Sequence, residues 1–214
     1  MDIVLDDTEV RILGCLIEKE MTTPEYYPLS LNALTNACNQ KSNRNPVVSC
    51  DENTVAHALD RLQEKGFARK TLTAGSRVPK YLHTVLARFD LSGQEMAILC
   101  ELILRGPQTV GEIRTHAERM SRFGSLEEVE KILNGLMDHD PQLVMKLPRE
   151  AGRKECRHMH AFSGGASMEG TAYDSLPEPV AAEGRIIRLE EETTRLRTEL
   201  EELKLAFAQF RSQF

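Results

Sequence analysis

The side chains most able to do chemistry in this sequence are amides and cations, not catalytic groups. The stretch NQKSNRNP (residues 39–46) holds two basic residues and five amide or hydroxyl residues between two helix-like segments. Such side chains hydrogen-bond to phosphate oxygens and base edges. The stretch therefore predicts contact with nucleic acid, with a solvated turn as the alternative. Its candidate contacts are Asn39, Gln40, Lys41, Ser42, Asn43 and Arg44.

A second basic cluster lies in FARKTLTAGSRVPKYLH (residues 67–83), where two β-type segments flank a Gly-Ser turn. This pattern predicts a β-hairpin. Four cations fall within twelve residues with no acid among them, namely Arg69, Lys70, Arg77 and Lys80. A basic hairpin suits a minor groove or neighbouring phosphates, and it equally suits an edge strand protected from aggregation.

The sequence does not predict a metal site or an active site. The segment CRHMH places Cys156, His158 and His160 on one face of a strand, without a fourth ligand nearby. A structural role for these three residues is therefore favoured over metal binding. The chain has no phosphate-binding glycine loop, no Gly-x-Ser-x-Gly and no convincing carboxylate pair. We expect a non-enzymatic protein without a cofactor.

The charge balance argues against a protein that coats nucleic acid through bulk charge. The net charge is −6, and residues 1–90 hold 11 Lys+Arg against 12 Asp+Glu. Residues 91–162 hold 10 basic and 11 acidic residues, and residues 163–214 hold 6 basic and 10 acidic residues. Affinity for DNA must therefore arise from local basic patches.

Cysteine use and hydropathy favour a cytoplasmic protein. The five cysteines form no CxxC and no even disulfide framework, and Cys15 and Cys100 are expected in the core. No apolar run approaches the roughly 18 to 20 residues of a membrane span. The N-terminal MDIVLDDTEV lacks the basic start of a signal peptide.

An internal repeat positions the candidate residues. The segment LDDTEVRILGCLIEK near the N-terminus aligns with LSGQEMAILCELILR in the middle of the chain. Each copy begins with a capping box, formed by Asp6 with Glu9 and by Ser92 with Glu95. The apolar spacing behind each box is that of a helix.

The correspondence continues through a second helix, a third helix and a hairpin. The third helices carry matching core residues, which are Val55, Leu59 and Leu62 in one copy and Val129, Leu133 and Leu136 in the other. Ser125 with Glu128 predicts a further capping box. The order helix, helix, helix, hairpin is that of a winged helix-turn-helix.

We therefore predict a mainly α fold with small β-hairpins (α+β), made of tandem winged helix-turn-helix domains and a C-terminal heptad helix. Residues 1–90 and 91–162 form the two domains, and residues 163–182 form a linker. On the third helix of the first domain, His57 and Arg61 point outward and are further candidate DNA contacts. Neighbouring acids oppose phosphate there, namely Asp51, Glu52, Asp60 and Glu64.

The segment RILGCLIEKEMTTPEYYPLSLNALTNACNQKSNRNPV (residues 11–47) resembles the signature of the YceH-like family of uncharacterised bacterial proteins. The resemblance continues more loosely to about Phe162. It implies tandem winged-helix domains, and it carries no catalytic residues to this chain.

The C-terminal segment, residues 183–214, has a heptad pattern in which seven of eight seam positions are apolar and Thr193 is the exception. Such a stripe either pairs with a second copy, making a homodimer, or folds back onto the winged domains. We favour the homodimer. Its predicted dimerisation residues are Ile186, Leu189, Leu196, Leu200, Leu203, Phe207 and Phe210.

These features together predict a non-enzymatic protein that binds double-stranded DNA as a dimeric transcriptional regulator. The alternative is a winged-helix scaffold that binds other proteins and does not touch DNA. The basic hairpin and the amide-rich stretch favour DNA. The nearly neutral domains and the acidic third helix favour the scaffold.

Overall fold

The computed structural model describes residues 4–72, 78–149, 152 and 155–163. The helices are α1 (Asp7–Thr22), α2 (Leu31–Cys38), α3 (Glu52–Glu64), α4 (Val85–Phe89), α5 (Gly93–Arg105), α6 (Val110–Ala117) and α7 (Leu126–Asp138). The strands are β1 (Leu29–Ser30), β2 (Ala68–Thr71), β3 (Lys80–His83), β4 (Val144–Lys146) and β5 (His158–His160). The described part is thus mainly helical with small antiparallel sheets, as predicted.

One order of elements occurs twice along the chain. A long helix, two further helices and a hairpin follow one another from α1 to β3, the first repeat, and from α5 to β5, the second repeat. Strand β1 joins the first hairpin (β2–β3), giving the order β1-β3-β2. At the matching place in the second repeat, Gln108 forms a single bridge to His158 of the second hairpin (β4–β5).

The starts of the long helices follow their sequence signals. The predicted capping boxes form at both α1 and α5. A third box, which the sequence analysis did not single out, joins Thr109 and Glu112 at α6.

The box predicted at α7 forms only in part. Ser125 accepts from the Glu128 backbone at 3.2 Å, but the Glu128 carboxylate instead accepts from the Gly124 backbone at 2.6 Å. The Glu128 side chain therefore accepts a hydrogen bond from the loop before the helix and does not complete the box at the helix start.

The two repeats share one continuous core in which α1 packs against α5. Gly14 lies at this contact, where an added Cβ would come within 2.5 Å of the Ile103 Cγ2 atom. A glycine within α1 is explained by this close approach. Cys15 and Cys100 are fully buried beside it, as predicted.

No helix in the described ranges is long and apolar enough to cross a membrane.

Candidate nucleic-acid interface

The junction stretch, residues 39–46, is held by its own amides. The Asn39 side chain donates to the Cys50 carbonyl at 2.8 Å and accepts from the Cys50 amide at 2.8 Å. This reciprocal pair closes the loop between α2 and α3. The side chain of Asn39 is therefore engaged in the loop and does not face a ligand.

Arg44 does not face solvent, contrary to the prediction that it neutralises phosphate. Its side chain is 0% exposed and pairs with Glu18 of α1, with one Nη1–Oε1 distance of 3.1 Å. It also donates to the Ala37 carbonyl at 3.0 Å. A buried guanidinium needs such partners because desolvation of an unpaired charge is very unfavourable.

The electrostatics of this pair follow from its burial. Burial alone would raise the pKa of the Glu18 carboxyl, but hydrogen bonds and charge from Arg44 and charge from Arg119 lower it overall. Burial alone would lower the pKa of Arg44, and the hydrogen bond and charge of Glu18 raise it overall. The pair is therefore ionised throughout the physiological range.

The remaining amides of the junction stretch tie the first repeat to α5. Arg105 of α5 donates to the Asn43 side chain, and the Asn45 amide donates to the Leu104 carbonyl at 3.0 Å. Gln40 accepts from Arg44 at 3.1 Å. The predicted contacts Gln40 and Asn43 are thus engaged internally.

Lys41 and Ser42 remain exposed in the junction stretch. They are the members of the predicted contact set here whose side chains make no hydrogen bond or ion pair with another described residue.

Two buried carboxylates and two further arginines extend this network between the repeats. Arg119 bonds Glu18 and Glu101 at 2.7 Å each, and Arg105 lies 2.9 Å from Glu101. Both carboxylates are nearly inaccessible, at 2% and 0% side-chain exposure. Sequence reasoning missed this junction, although each glutamate adjoins an apolar run of its helix.

Helix α3 presents few free cations. His57 is exposed, but Arg61 contacts Asp6 at 2.6 Å and Glu9 at 3.0 Å, so its charge is neutralised within the protein. The predicted acids are exposed, namely Asp51, Glu52, Asp60 and Glu64. The outer surface of α3 is therefore net acidic and repels phosphate.

The first hairpin is different. Arg69 and Lys70 are exposed and Lys80 is half-buried, and none of the three makes an ion pair with another described residue. The fourth predicted cation, Arg77, lies outside the described residues.

The register of this hairpin places its cations on both faces. Lys70 lies opposite Tyr81, Arg69 opposite Leu82 and Lys80 opposite Thr71. Opposed residues share a face, and so do alternate residues of one strand. Arg69 and Lys80 therefore share one face of the ribbon, and Lys70 projects from the other.

The base of the first hairpin is fixed by buried polar contacts. His83 Nδ1 accepts from the Val85 amide at 3.3 Å, so Nε2 carries the proton, and Nε2 lies 2.7 Å from the Glu20 carboxylate. The Tyr27 hydroxyl accepts from the His83 amide at 2.7 Å. Burial lowers the pKa of His83 despite Glu20.

The second hairpin uses its polar residues internally. Arg157 donates to the Pro107 carbonyl at 2.7 Å and lies 3.2 Å from Glu112. His158 and His160 are buried in β5, whereas Cys156 precedes the strand. No cluster of three His, Cys, Asp or Glu side chains able to hold a metal occurs in the described ranges.

The predicted dimerisation residues, from Ile186 to Phe210, lie outside the described residues.

The chain matches the family model "Protein of unknown function, DUF480" over residues 5–153. It is 52% identical over 219 residues to a UPF0502 protein of Geotalea uraniireducens, covering 100% of both chains. It is 51% identical over 222 residues to a UPF0502 protein of Pelobacter propionicus, again covering 100% of both. A UPF0502 protein of Koribacter versatilis is 51% identical over 205 residues, covering 92% of each. These matches confirm the resemblance drawn from residues 11–47.

Proposed function

We propose that this chain, which belongs to the DUF480 (UPF0502) family, is a non-enzymatic DNA-binding protein with tandem winged-helix domains that contacts phosphates through its first hairpin. The repeated order of three helices and a hairpin supports the domain type. A short extended segment before the second helix joins the hairpin in each repeat, at β1 and at Gln108. In this arrangement the hairpin is the wing.

The observation that carries the proposal is the contrast between the wing cations and the arginines of the junction network and of α3. Arg44, Arg61 and Arg119 are all neutralised by carboxylates of the protein. Arg69, Lys70 and Lys80 lie on paired strands without such partners among the described residues. Unpaired cations on a rigid ribbon are available to replace the counterions of DNA.

The distribution of these cations over both faces of the hairpin favours binding in a groove of DNA. A ribbon with Arg69 and Lys80 on one face and Lys70 on the other can meet the two phosphate rows that border a groove. Base reading by α3 is disfavoured because its outer surface is acidic. We therefore expect binding that depends strongly on salt and weakly on sequence.

The test is fluorescence anisotropy of labelled duplex DNA with the full chain over a salt series. Arg69→Ala with Lys80→Ala should reduce the slope of log affinity against log salt by about 1.8, which is about 0.9 per contact. The matched control is Arg122→Ala with Lys131→Ala, two exposed cations of the second repeat. An unchanged slope in the wing variant removes the wing from the interface.

A second candidate function, binding to a basic protein partner, is favoured by the acidic third helices. In α7, exposed carboxylates outnumber the single lysine, and they include Glu127, Glu130 and Asp138. Charge reversal by Asp60→Lys with Glu64→Lys on α3 tests whether that helix faces the duplex. If α3 faces the duplex, this variant binds DNA more tightly. A wild-type chain that fails to bind duplex DNA even at low salt would favour the protein scaffold.

We also propose that the chain is cytoplasmic and dimerises through its C-terminal heptads. All five cysteines are free, as suits a reducing compartment. Leu196→Asp with Leu203→Asp removes apolar burial of about 1.5 to 3 kcal/mol per side chain. Sedimentation equilibrium should show the wild-type dimer becoming a monomer, and a wild-type monomer at micromolar concentration would contradict the idea.

A further inference from the structure

A cleft of about 490 Å³ opens in the second repeat between α7, the second hairpin and the start of α6. One wall is a face of α7 that carries Leu126, Leu133 and Glu130, and the other wall is the hairpin. The full lining is Val110, Gly111, Leu126, Glu130, Leu133, Asn134, Lys146, Glu155, Cys156 and His158. Its volume lies within the range of small-molecule sites.

The start of α6 contributes unpaired backbone amides to this cleft. Val110 and Gly111 are the first two residues of an eight-residue helix, so their N–H groups have no acceptor within the helix. The Thr109 side chain caps only the third amide, that of Glu112. A Cβ added at Gly111 would meet no described atom within 4 Å, so there is open space beside this part of the backbone. Helix starts of this kind bind anions.

The hairpin wall contributes a cation beside a buried imidazole. Lys146 and His158 are register partners, so their side chains share one face of the ribbon. His158 is 5% exposed, and its buried Nδ1 has no hydrogen-bond partner among the described residues. Burial and the charge of Lys146 lower the pKa of His158, so the ring is neutral. An unpaired buried ring nitrogen is unfavourable without a further partner.

We propose that this cleft binds a small apolar carboxylate, with its anionic group between Lys146 and the Val110 and Gly111 amides. The apolar body of the ligand packs on Leu126, which is 44% exposed in the free protein, and on Leu133. Glu130 and Glu155 also line the cleft, and their charges repel a dianion more strongly than a monoanion. The site is distinct from the first hairpin, so it does not rest on DNA binding.

The test is titration of the full chain with benzoate, followed through the backbone amide signals of Val110 and Gly111 in two-dimensional NMR. Benzoate should shift both signals saturably at millimolar concentration. Benzamide has the same apolar body without the charge, and phenyl phosphate carries a second charge. Both should bind at least about tenfold more weakly, which corresponds to about 1.4 kcal/mol.

Two variants locate the site. Lys146→Met removes the cation from an exposed strand end, and Gly111→Leu adds a side chain where a Cβ meets no described atom within 4 Å. Each should weaken benzoate binding about tenfold or more. The matched control is Gly135→Leu on α7, where an added side chain also meets open space but does not line the cleft.

Three outcomes overturn the inference. They are no saturable shift of the two amides with benzoate, equal binding of benzamide and benzoate, and equal weakening by the Gly135→Leu control. Because DNA need not be present, failure here leaves the wing proposal untouched, and failure of the wing proposal leaves this site standing.

Discussion

The junction stretch and the first hairpin both concentrate basic side chains, but the protein uses them in opposite ways. Arg44 of the junction stretch is enclosed by the first repeat and pairs with a carboxylate of α1. Arg69 and Lys70 of the hairpin project into solvent without a carboxylate partner among the described residues. A cluster of cations in sequence therefore predicts a nucleic-acid surface only where the fold supplies no internal acid.

The difference has a physical origin in the elements nearby. At the junction stretch, α1 and α5 each contribute one buried glutamate to the network of ion pairs. Glu18 and Glu101 need counter-charges, and Arg44, Arg105 and Arg119 supply them. The hairpin extends from a small sheet in which no described carboxylate pairs with its cations.

The largest expected effect comes from breaking the junction. Arg44→Met should lower the free energy of unfolding by about 3 to 5 kcal/mol, because Glu18 keeps a buried charge with fewer partners. Urea denaturation measures this change in the free energy of unfolding. The matched control is Arg61→Met, since Arg61 also contacts two carboxylates but is 44% exposed. That variant should lower the free energy of unfolding far less, because solvent screens the charge of an exposed arginine.

Partial rescue sharpens this result. Adding Glu18→Gln to Arg44→Met removes the buried charge and should recover part of the lost stability. Equal small losses in the Arg44 and Arg61 variants would mean that the junction is no more structural than a surface ion pair.

The second hairpin provides the next largest effect, because its histidines point inward where the first hairpin exposes cations. Burial lowers the pKa of His160 to about 4, and its Nδ1 accepts from the Phe162 amide at 3.3 Å. The unfolded chain then takes up a proton below about pH 6.5 that the folded protein excludes. Stability is complete above that pH and falls as the pH drops toward 4, by about 3 kcal/mol from this group.

His160→Asn keeps an acceptor near the Nδ1 position and removes the titration. Urea denaturation between about pH 7 and pH 4 should show that the free energy of unfolding falls less steeply in this variant than in the wild type. Burial also lowers the pKa of His83, and this histidine contributes equally to the pH dependence of the wild type and of the variant. The difference between their two stability curves is therefore due to His160. Parallel stability curves would show that His160 accepts its proton in the folded state.

The repeat and the helix starts were predictable because their signals are local. Asp6 with Glu9 and Ser92 with Glu95 lie three residues apart, and the core positions of the third helices follow one helical period. The two hairpins, which pair over four residues in the first repeat and three in the second, were similarly indicated by β-type segments that flank a glycine-containing turn. Strand β1 and helix α4 are too short for such a signal and were not predicted.

The fate of the junction stretch was not predictable from local sequence. Arg44 and Glu18 are 26 residues apart and meet within the first repeat. Glu18 and Arg119 are 101 residues apart and meet only because α1 packs on α5. The same packing explains Gly14, whose open space is occupied by Ile103 and Leu104. A glutamate beside an apolar run indicates a buried carboxylate, but the sequence does not identify the cation that pairs with it.

The smallest expected effect tests whether any of the junction stretch meets DNA. Lys41 is its exposed cation, and replacing it removes no contact of the buried network. Lys41→Ala should change the free energy of unfolding by no more than about 0.5 kcal/mol. Because we assign DNA contact to the hairpin, the slope of log affinity against log salt should also stay unchanged. A slope lower by about 0.9 would instead place Lys41 on a phosphate and extend the interface from the wing to the junction. The comparison between the two regions would then hold for Arg44 but not for the stretch as a whole.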